Sequence, residues 1–375
     1  MKVGCPKEIK PQEFRVGLTP AAVNELVRRG HFVTVETNAG QGAGFVDSDY
    51  EKEGADIVGS AKEVFDKADM IVKVKEPQAT ERQMLKSGQL LFTYLHLAPD
   101  PEQTHDLIDS GCTAIAYETV TDSNGGLPLL APMSEVAGRL APQMGAWTLQ
   151  KANGGRGVLL GGVPGVAPAK VLVLGGGVVG TNAARVAAGM GADVTVLDKS
   201  LSRLRYIDDV FGHLFKNGYA SQKATAELAS QADLIIGAVL VAGAEAPKLI
   251  SKEQLSTLQP GTALVDVAID QGGCFETSRA TTHADPIYEI DGIMHYCVAN
   301  MPGAVARTST LALGNATLPF IISLADKGWI KACSDNPHLF NGLNVHDGKL
   351  TYSAVGEALG IETVKPDLKA LSILH

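Results

Sequence analysis

The segment 171–189, VLVLGGGVVGTNAARVAAG, constrains the fold more than any other stretch of the chain. Four apolar residues suited to a buried strand run straight into Gly175-Gly176-Gly177-Val178-Val179-Gly180, and an alanine-rich helical stretch follows. In a strand–G-x-G-x-x-G–helix unit each glycine has its own task. Gly175 permits the tight turn, Gly177 lets backbone approach a pyrophosphate, and Gly180 allows close helix–strand packing. The unpaired N–H groups and positive dipole end of the helix then face the phosphates. A second strand is expected at 193–197, closed by Asp198, 18 residues beyond Gly180 where about 20 is usual. Such an acid binds a ribose 2′-OH and repels a 2′-phosphate, which favours NAD over NADP. Lys199 and Arg203 either blur that preference or are solvated helix surface.

Glycine makes up 41 of 375 residues, about 11% against an ordinary share of about 7%, and much of the surplus lies between 154 and 191. On both sides of that region short apolar runs alternate with helical ones. Before it, runs near Val3 and at 31–37, 69–75, 89–96 and 112–118 read as strands. Beyond it, 233–241, 262–269 and 294–298 continue the second series. The alternation predicts an α/β protein: two doubly wound, Rossmann-like domains with mainly parallel sheets, linked by long helices, with an active-site cleft between them. The linking helices are expected at 134–153, kinked at Pro142, and at 304–328. The tail 329–375 is too short for a domain, carries a hairpin turn at Asp347-Gly348, and is expected to pack back on the first domain. The substrate domain is therefore read as discontinuous, 1–130 plus 305–375, with a nucleotide-binding domain, 131–304, inserted into it.

The formal net charge of −9, without any Lys/Arg block, disfavours nucleic acid or an anionic membrane as partner. Five scattered cysteines with no C-x-x-C pair point to reduced thiols rather than disulfides or zinc. The start, MKVGCPKEIK, lacks an apolar signal core, and the longest apolar run, around 234–244, is too short to span a bilayer. These features read as a soluble cytoplasmic protein.

Ligands of doubly wound sheets sit beyond the carboxyl ends of the strands, and four polar residues fall at such ends: Lys75, His96, Asp270 and Asn300. An imidazole titrates near neutrality and can pass a proton to a carbonyl or an amine, although one histidine among nine is also an ordinary packing or surface residue. Arg15 and Lys75 taken singly read as surface or strand-end charges; together they can fix a carboxylate, the guanidinium bidentately and the ammonium as a point charge. Asp270, before Gly272-Gly273, is either a turn-capping residue or a base for water. The site is expected to be locally positive.

The stretches VGCPKEIKPQEFRVGLTP, IVKVKEPQ, FTYLHLAPD, APMSEVAGRLAPQMGA, VLVLGGGVVGTNAA, LVDVAIDQGGC and YCVANMPGAVARTSTLALGNATLP follow one another in an order that resembles the bacterial L-alanine dehydrogenase family over essentially the whole chain. The resemblance implies reversible NAD-dependent oxidative deamination of L-alanine to pyruvate and ammonium by a homohexamer. It implies that Arg15 and Lys75 hold the substrate carboxylate, that His96 exchanges a proton with the substrate, that Asp270 activates water, and that Met133 and Asn300 line the pocket. It assigns cofactor contacts to Ser134, which also suits an N-cap, and to Val178, Val179, Asp198 and Arg203. Further contacts fall on Val239 and Leu240, on Val267, Ala268, Ile269 and Asp270, on Arg279, and on Val298, Ala299, Asn300 and Met301. Some relatives have a cofactor-contacting serine where this chain has Ala220, with Ser221 beside it, and that contact stays open. Some relatives carry an acid and a histidine near 323–327 for a metal; Ser323 and Lys327 stand here, so no metal is expected. The competing readings are a transhydrogenase nucleotide-binding subunit, a saccharopine-type dehydrogenase, and a non-catalytic NADH sensor.

Overall fold

A computed structural model describes residues 1–239 and 246–374 of the chain. It divides into two compact units, Met1–Met133 with Val305–His375, and Ser134–Ala304. The first unit lays down β1 (Lys2–Cys5), β2 (Phe32–Glu36), β3 (Asp56–Val58), β4 (Met70–Val72), β5 (Leu90–Thr93) and β6 (Thr113–Ala116). The second supplies β7 (Lys170–Leu174), β8 (Asp193–Asp198), β9 (Lys216–Tyr219), β10 (Leu234–Gly237), β11 (Ala263–Asp266), β12 (Ile287–Ile290) and β13 (Ile293–Tyr296). The chain then returns to the first unit for β14 (Leu343–His346) and β15 (Lys349–Leu350).

The first sheet has the order β15-β14-β6-β5-β4-β1-β2-β3, parallel from β6 to β3. The tail adds β14 antiparallel to β6 and closes a hairpin with β15 across Asp347 and Gly348, both at positive φ (47° and 71°) as a type I′ turn requires. The second sheet has the order β12-β13-β11-β10-β7-β8-β9, parallel except for β12 at its edge. β4, β5, β6, β10 and β11 are buried throughout, as strands covered on both faces must be. Strand order reverses between β1 and β4 in one sheet and between β7 and β10 in the other. At such switch points a crevice opens beyond the carboxyl ends of the strands.

The architecture is the expected doubly wound α/β pair, with three edge strands that were not anticipated. β3 has only three residues, β9 reads KNGY with one polar or small residue after another, and β12 runs antiparallel. Helix Ala131–Thr148 passes through Pro142 as one 18-residue element. The second linking helix runs on from Ala306 to Asp335, past Gly328, whose φ of 72° and ψ of 158° break the helical path. Among the described residues, the stretch Met301–Asp335 is the one long and apolar enough to cross a membrane by length and composition. Its apolar stripe is occupied within the first unit: Leu313, Thr317, Ile321 and Leu324 are buried, and Thr310 Oγ1 accepts the Val16 N–H at 3.3 Å.

Candidate functional site

In the first unit the switch point is furnished from the segments that follow β1 and β4. Arg15 is 2% exposed rather than a surface charge, and Glu13 holds its guanidinium through Nε (2.6 Å) and Nη2 (2.5 Å). Burial alone would lower the pKa of Arg15, but its bonds to Glu13 and the charge of that carboxylate raise it, so the cation is secure. Nη1 of Arg15 donates to Met133 Sδ at 3.1 Å, which brings two of the expected substrate residues into contact.

Lys73, two residues before Lys75, is fully buried between Glu8 (3.0 Å) and Glu81 (2.6 Å). Burial works against its charge, yet the two carboxylates raise its pKa above the ordinary lysine value. Glu8 also accepts the N–H groups of Val74 (2.7 Å) and Lys75 (3.2 Å). Glu76 is paired with Lys10; burial would raise its carboxyl, but the charge of Lys75 and the bond from Lys10 bring it below the usual range. The expectation of a locally positive site is therefore corrected. Lys10, Arg15, Lys73 and Lys75 are interleaved with Glu8, Glu13, Glu76 and Glu81.

His96, Lys75 and Asp270 do not close their strands as expected. β4 ends at Val72, β5 at Thr93 and β11 at Asp266, three or four residues earlier. In each case an acid takes backbone N–H groups at the place where the ladder stops: Glu8 for residues 74 and 75, Glu118 for 95 and 96, and Asp266 for Ala268, Cys274 and Phe275. Asp266 is fully buried and receives Ser278 Oγ as well; burial raises its pKa in spite of these donors. None of these three acids was picked from the sequence. Glu118 had a usable signal, since it follows a buried strand as directly as the residues that were picked. Asp266 stood inside an apolar run with nothing to mark it.

Asp270 lies exposed in a short helical turn, Ile269–Gln271. His96 and Asn300 have φ of 50° and 59°, in the left-handed region where few side chains settle and which is often found at functional sites. The carbonyl of Asn300 is held by His283 Nε2 at 3.2 Å.

In the second unit, Gly175 has φ of 101°, and a Cβ there would stand 2.8 Å from the Ala238 carbonyl oxygen. A Cβ on Gly180 would lie 1.7 Å from the Gly175 carbonyl oxygen. Gly177 is different: among the described residues no atom lies within 4 Å of where its Cβ would be. Packing within the protein thus demands Gly175 and Gly180, whereas the space at Gly177 suits a ligand. Asp198 closes β8, accepting the N–H of Gly176 (2.7 Å) and of Ser200 (2.7 Å). Arg203 is not loose helix surface; it donates to the Gly176 carbonyl and to Thr181 Oγ1, and lies 4.5 Å over the Tyr206 ring. The residues that fit a dinucleotide are those of this turn. Replacing Asp198 with Ala is expected to weaken NADH binding by about tenfold or more while leaving NADPH binding unchanged or tighter, read by fluorescence titration.

The remaining cofactor positions divide by burial. Val179, Ala268, Ile269, Val298 and Met301 are buried; Val178 and Arg279 are exposed, Arg279 stacking 3.9 Å over Tyr288; Val239, Val267 and Ala299 are half-buried. Leu240 lies outside the described residues. Ser134 is not an N-cap, because the helix already starts at Ala131 with Pro132 in its first turn. Ser221 caps the helix Gln222–Ala229 by accepting the Ala224 N–H, and the Ala220 N–H goes to the Asp198 carbonyl. Among the described residues no cluster of three metal-binding side chains occurs.

Two doubly wound sheets, one bearing a glycine turn for a nicotinamide dinucleotide and the other a set of acid–base and cationic groups, define the class: an α/β oxidoreductase. The N-terminal domain of alanine dehydrogenase/PNT matches residues 4–137, and the C-terminal domain of alanine dehydrogenase/PNT matches 141–353. The chain belongs to the alanine dehydrogenase/PNT family. It is 62% identical to the alanine dehydrogenase of Halomonas elongata over 97% of this chain and 98% of that one. It is 53% identical to the alanine dehydrogenase of Mycobacterium tuberculosis over 98% and 99%. A solved L-alanine dehydrogenase superposes with a TM-score of 0.93 at 51% identity, covering 96% of this chain and 99% of that one. A transhydrogenase from Sinorhizobium meliloti, 24% identical, shares the fold (TM-score 0.82) over 94% of this chain and 100% of that one.

Proposed function

We propose that this chain catalyses the reversible, NAD-dependent oxidative deamination of L-alanine to pyruvate and ammonium. Near-full-length identity to alanine dehydrogenases carries the reading. The open space at Gly177 and the pinned Asp198 support a dinucleotide on the second unit. When bound, NAD supplies the hydride acceptor. The groups of the chain then have separate tasks. Arg15, pre-set by Glu13, and Lys75 hold the substrate carboxylate; the guanidinium fixes orientation and the ammonium adds charge. His96 exchanges a proton with the substrate nitrogen or oxygen, and Asp270 orients the water that attacks the imine carbon. Met133 and Asn300 line the pocket. The family resemblance further supports a homohexamer in the cytoplasm, acting on small molecules and without a resident metal.

The direct test is absorbance loss at 340 nm with protein, NADH, pyruvate and ammonium. Oxidation that requires ammonium is the expected result. NADH binding without oxidation would leave a sensor, and oxidation without ammonium would leave a different dehydrogenase. Gly177→Ala tests the cofactor site separately. Its melting temperature should stay within roughly 2 °C of the parent, because the added methyl meets no described atom, while NADH affinity falls at least about tenfold.

A further inference from the structure

The backbone around His96 is held from three directions. Glu118, in the short turn Tyr117–Thr119 after β6, accepts the His96 N–H at 2.6 Å and the Leu95 N–H at 3.2 Å with the same oxygen, Oε1. Gln103 Nε2 donates to the Leu95 carbonyl at 2.7 Å, and Thr104 Oγ1 to the Leu97 carbonyl at 3.1 Å. β5 and β6 are parallel with Thr93 opposite Ala116, so Leu95 and Glu118 are the next residues in phase. The carboxylate of Glu118 stands where a strand carbonyl would otherwise continue the ladder. It thereby ends the strand and secures His96 at a φ of 50°.

The same carboxylate faces the imidazole. Glu118 Oε1 lies 3.9 Å from His96 Nδ1; the acid is 14% exposed and the imidazole 45%. On the other side the Tyr94 ring stacks on the imidazole at 5.8 Å between centroids and 7° between planes. Tyr94 is itself anchored through Oη to the Leu129 carbonyl (2.5 Å). The carboxylate thus lies on the Nδ1 side of the ring, which leaves Nε2 as the nitrogen to accept and return a proton.

We infer that Glu118 is the positioning residue of His96: one carboxylate both cradles the backbone turn that presents the imidazole and forms with it a carboxylate–imidazole pair directing Nε2 to the substrate. This rests on the dehydrogenase reading for what His96 does, but the pairing itself can be measured without turnover. Among the described residues, the charged and titratable groups that face the imidazole include Glu118 from the turn after β6 and Tyr94 from the end of β5, with Arg15 acting on Tyr94 from beyond; Asp100, at the start of helix Pro101–Ser110, caps the Gln103 N–H.

Two substitutions separate the cradle from the charge. Glu118→Gln keeps an amide oxygen for both N–H groups and removes the negative charge; Glu118→Ala removes both. In Glu118→Gln, kcat should fall by about 10–100-fold, the scale of losing a carboxylate that orients a histidine ligand, with KM for pyruvate little changed. Glu118→Ala should fall further and lose melting temperature as well. The decisive readout is NMR of the full chain labelled at histidine Cε1, with the His96 signal among the nine histidines assigned by its loss in His96→Gln. Because the carboxylate faces Nδ1, the His96 Cε1 resonance at fixed pH should move in Glu118→Gln while those of the other histidines stay in place. Coincident His96 resonances in the parent and in Glu118→Gln would overturn the inference, whatever the activity. Absence of ammonium-dependent NADH oxidation in the parent would overturn the dehydrogenase reading instead, leaving the His96 resonance to decide the pairing.

Discussion

His96→Ala is expected to lower turnover by roughly 10²–10⁴-fold, the usual contribution of a positioned general acid or base. NADH affinity should stay close to that of the parent, since His96 belongs to the first unit and the glycine turn to the second. Asp270→Asn should lose a similar factor, because the amide keeps the size of the side chain and loses the basicity that draws a proton from water. Steady-state kinetics in both directions, with NADH titration alongside, measures both effects. Near-parental kcat in either variant contradicts the role given to that residue. The strained φ of His96 makes one further consequence concrete. Alanine tolerates the left-handed region less well than histidine, so in the alanine variant the turn depends on the bonds that Glu118, Gln103 and Thr104 make to its backbone.

The second large effect concerns stability. Lys73→Met leaves the carboxylates of Glu8 and Glu81 buried and facing one another without the cation between them. Removing one partner of a buried ion pair costs about 3–5 kcal/mol, because the remaining charge is neither solvated nor neutralised. For a unit of this size the melting temperature should fall by roughly 6–20 °C, and the urea midpoint with it. Substituting all three residues together with apolar side chains of similar volume should restore most of the loss, since a buried ion network adds little net stability. Its KM for pyruvate should nevertheless stay high. Glu8 also holds the Lys75 N–H, and an apolar residue cannot do so. A stable triple variant with parental KM would remove Glu8 from the positioning of Lys75.

The two kinds of effect trace to what was and was not legible along the chain. Period, glycine spacing and turn chemistry are local properties. They place β7, the glycine turn, Asp198 and the Asp347-Gly348 hairpin without knowledge of any neighbour. Edge strands β3 and β9 escaped because half-exposed strands need no apolar run. The ends of β4, β5 and β11 were read too late, because the residues after them are apolar enough to continue a strand. What stops β4 and β5 is a distant acid, Glu8 for Lys75, 67 residues away, and Glu118 for His96, 22 residues away, whereas β11 ends on its own Asp266. The buried role of Lys73 was hidden for a similar reason. In IVKVK the two lysines are indistinguishable until Glu8 and Glu81 are placed around one of them.

By itself the sequence determined the fold class, the glycine turn after β7, and the residue types available at the strand ends. These follow from the short-range stereochemistry of glycine, proline and alternating apolar residues, which acts over a few positions. The tertiary structure alone decided how those residues are charged and held. It turned a site expected to be positive into one where cations and acids alternate, and it fixed Arg15 through Glu13 and His96 through Glu118. Those pairings depend on burial, where an unpaired charge is costly, and burial arises only when distant segments pack together.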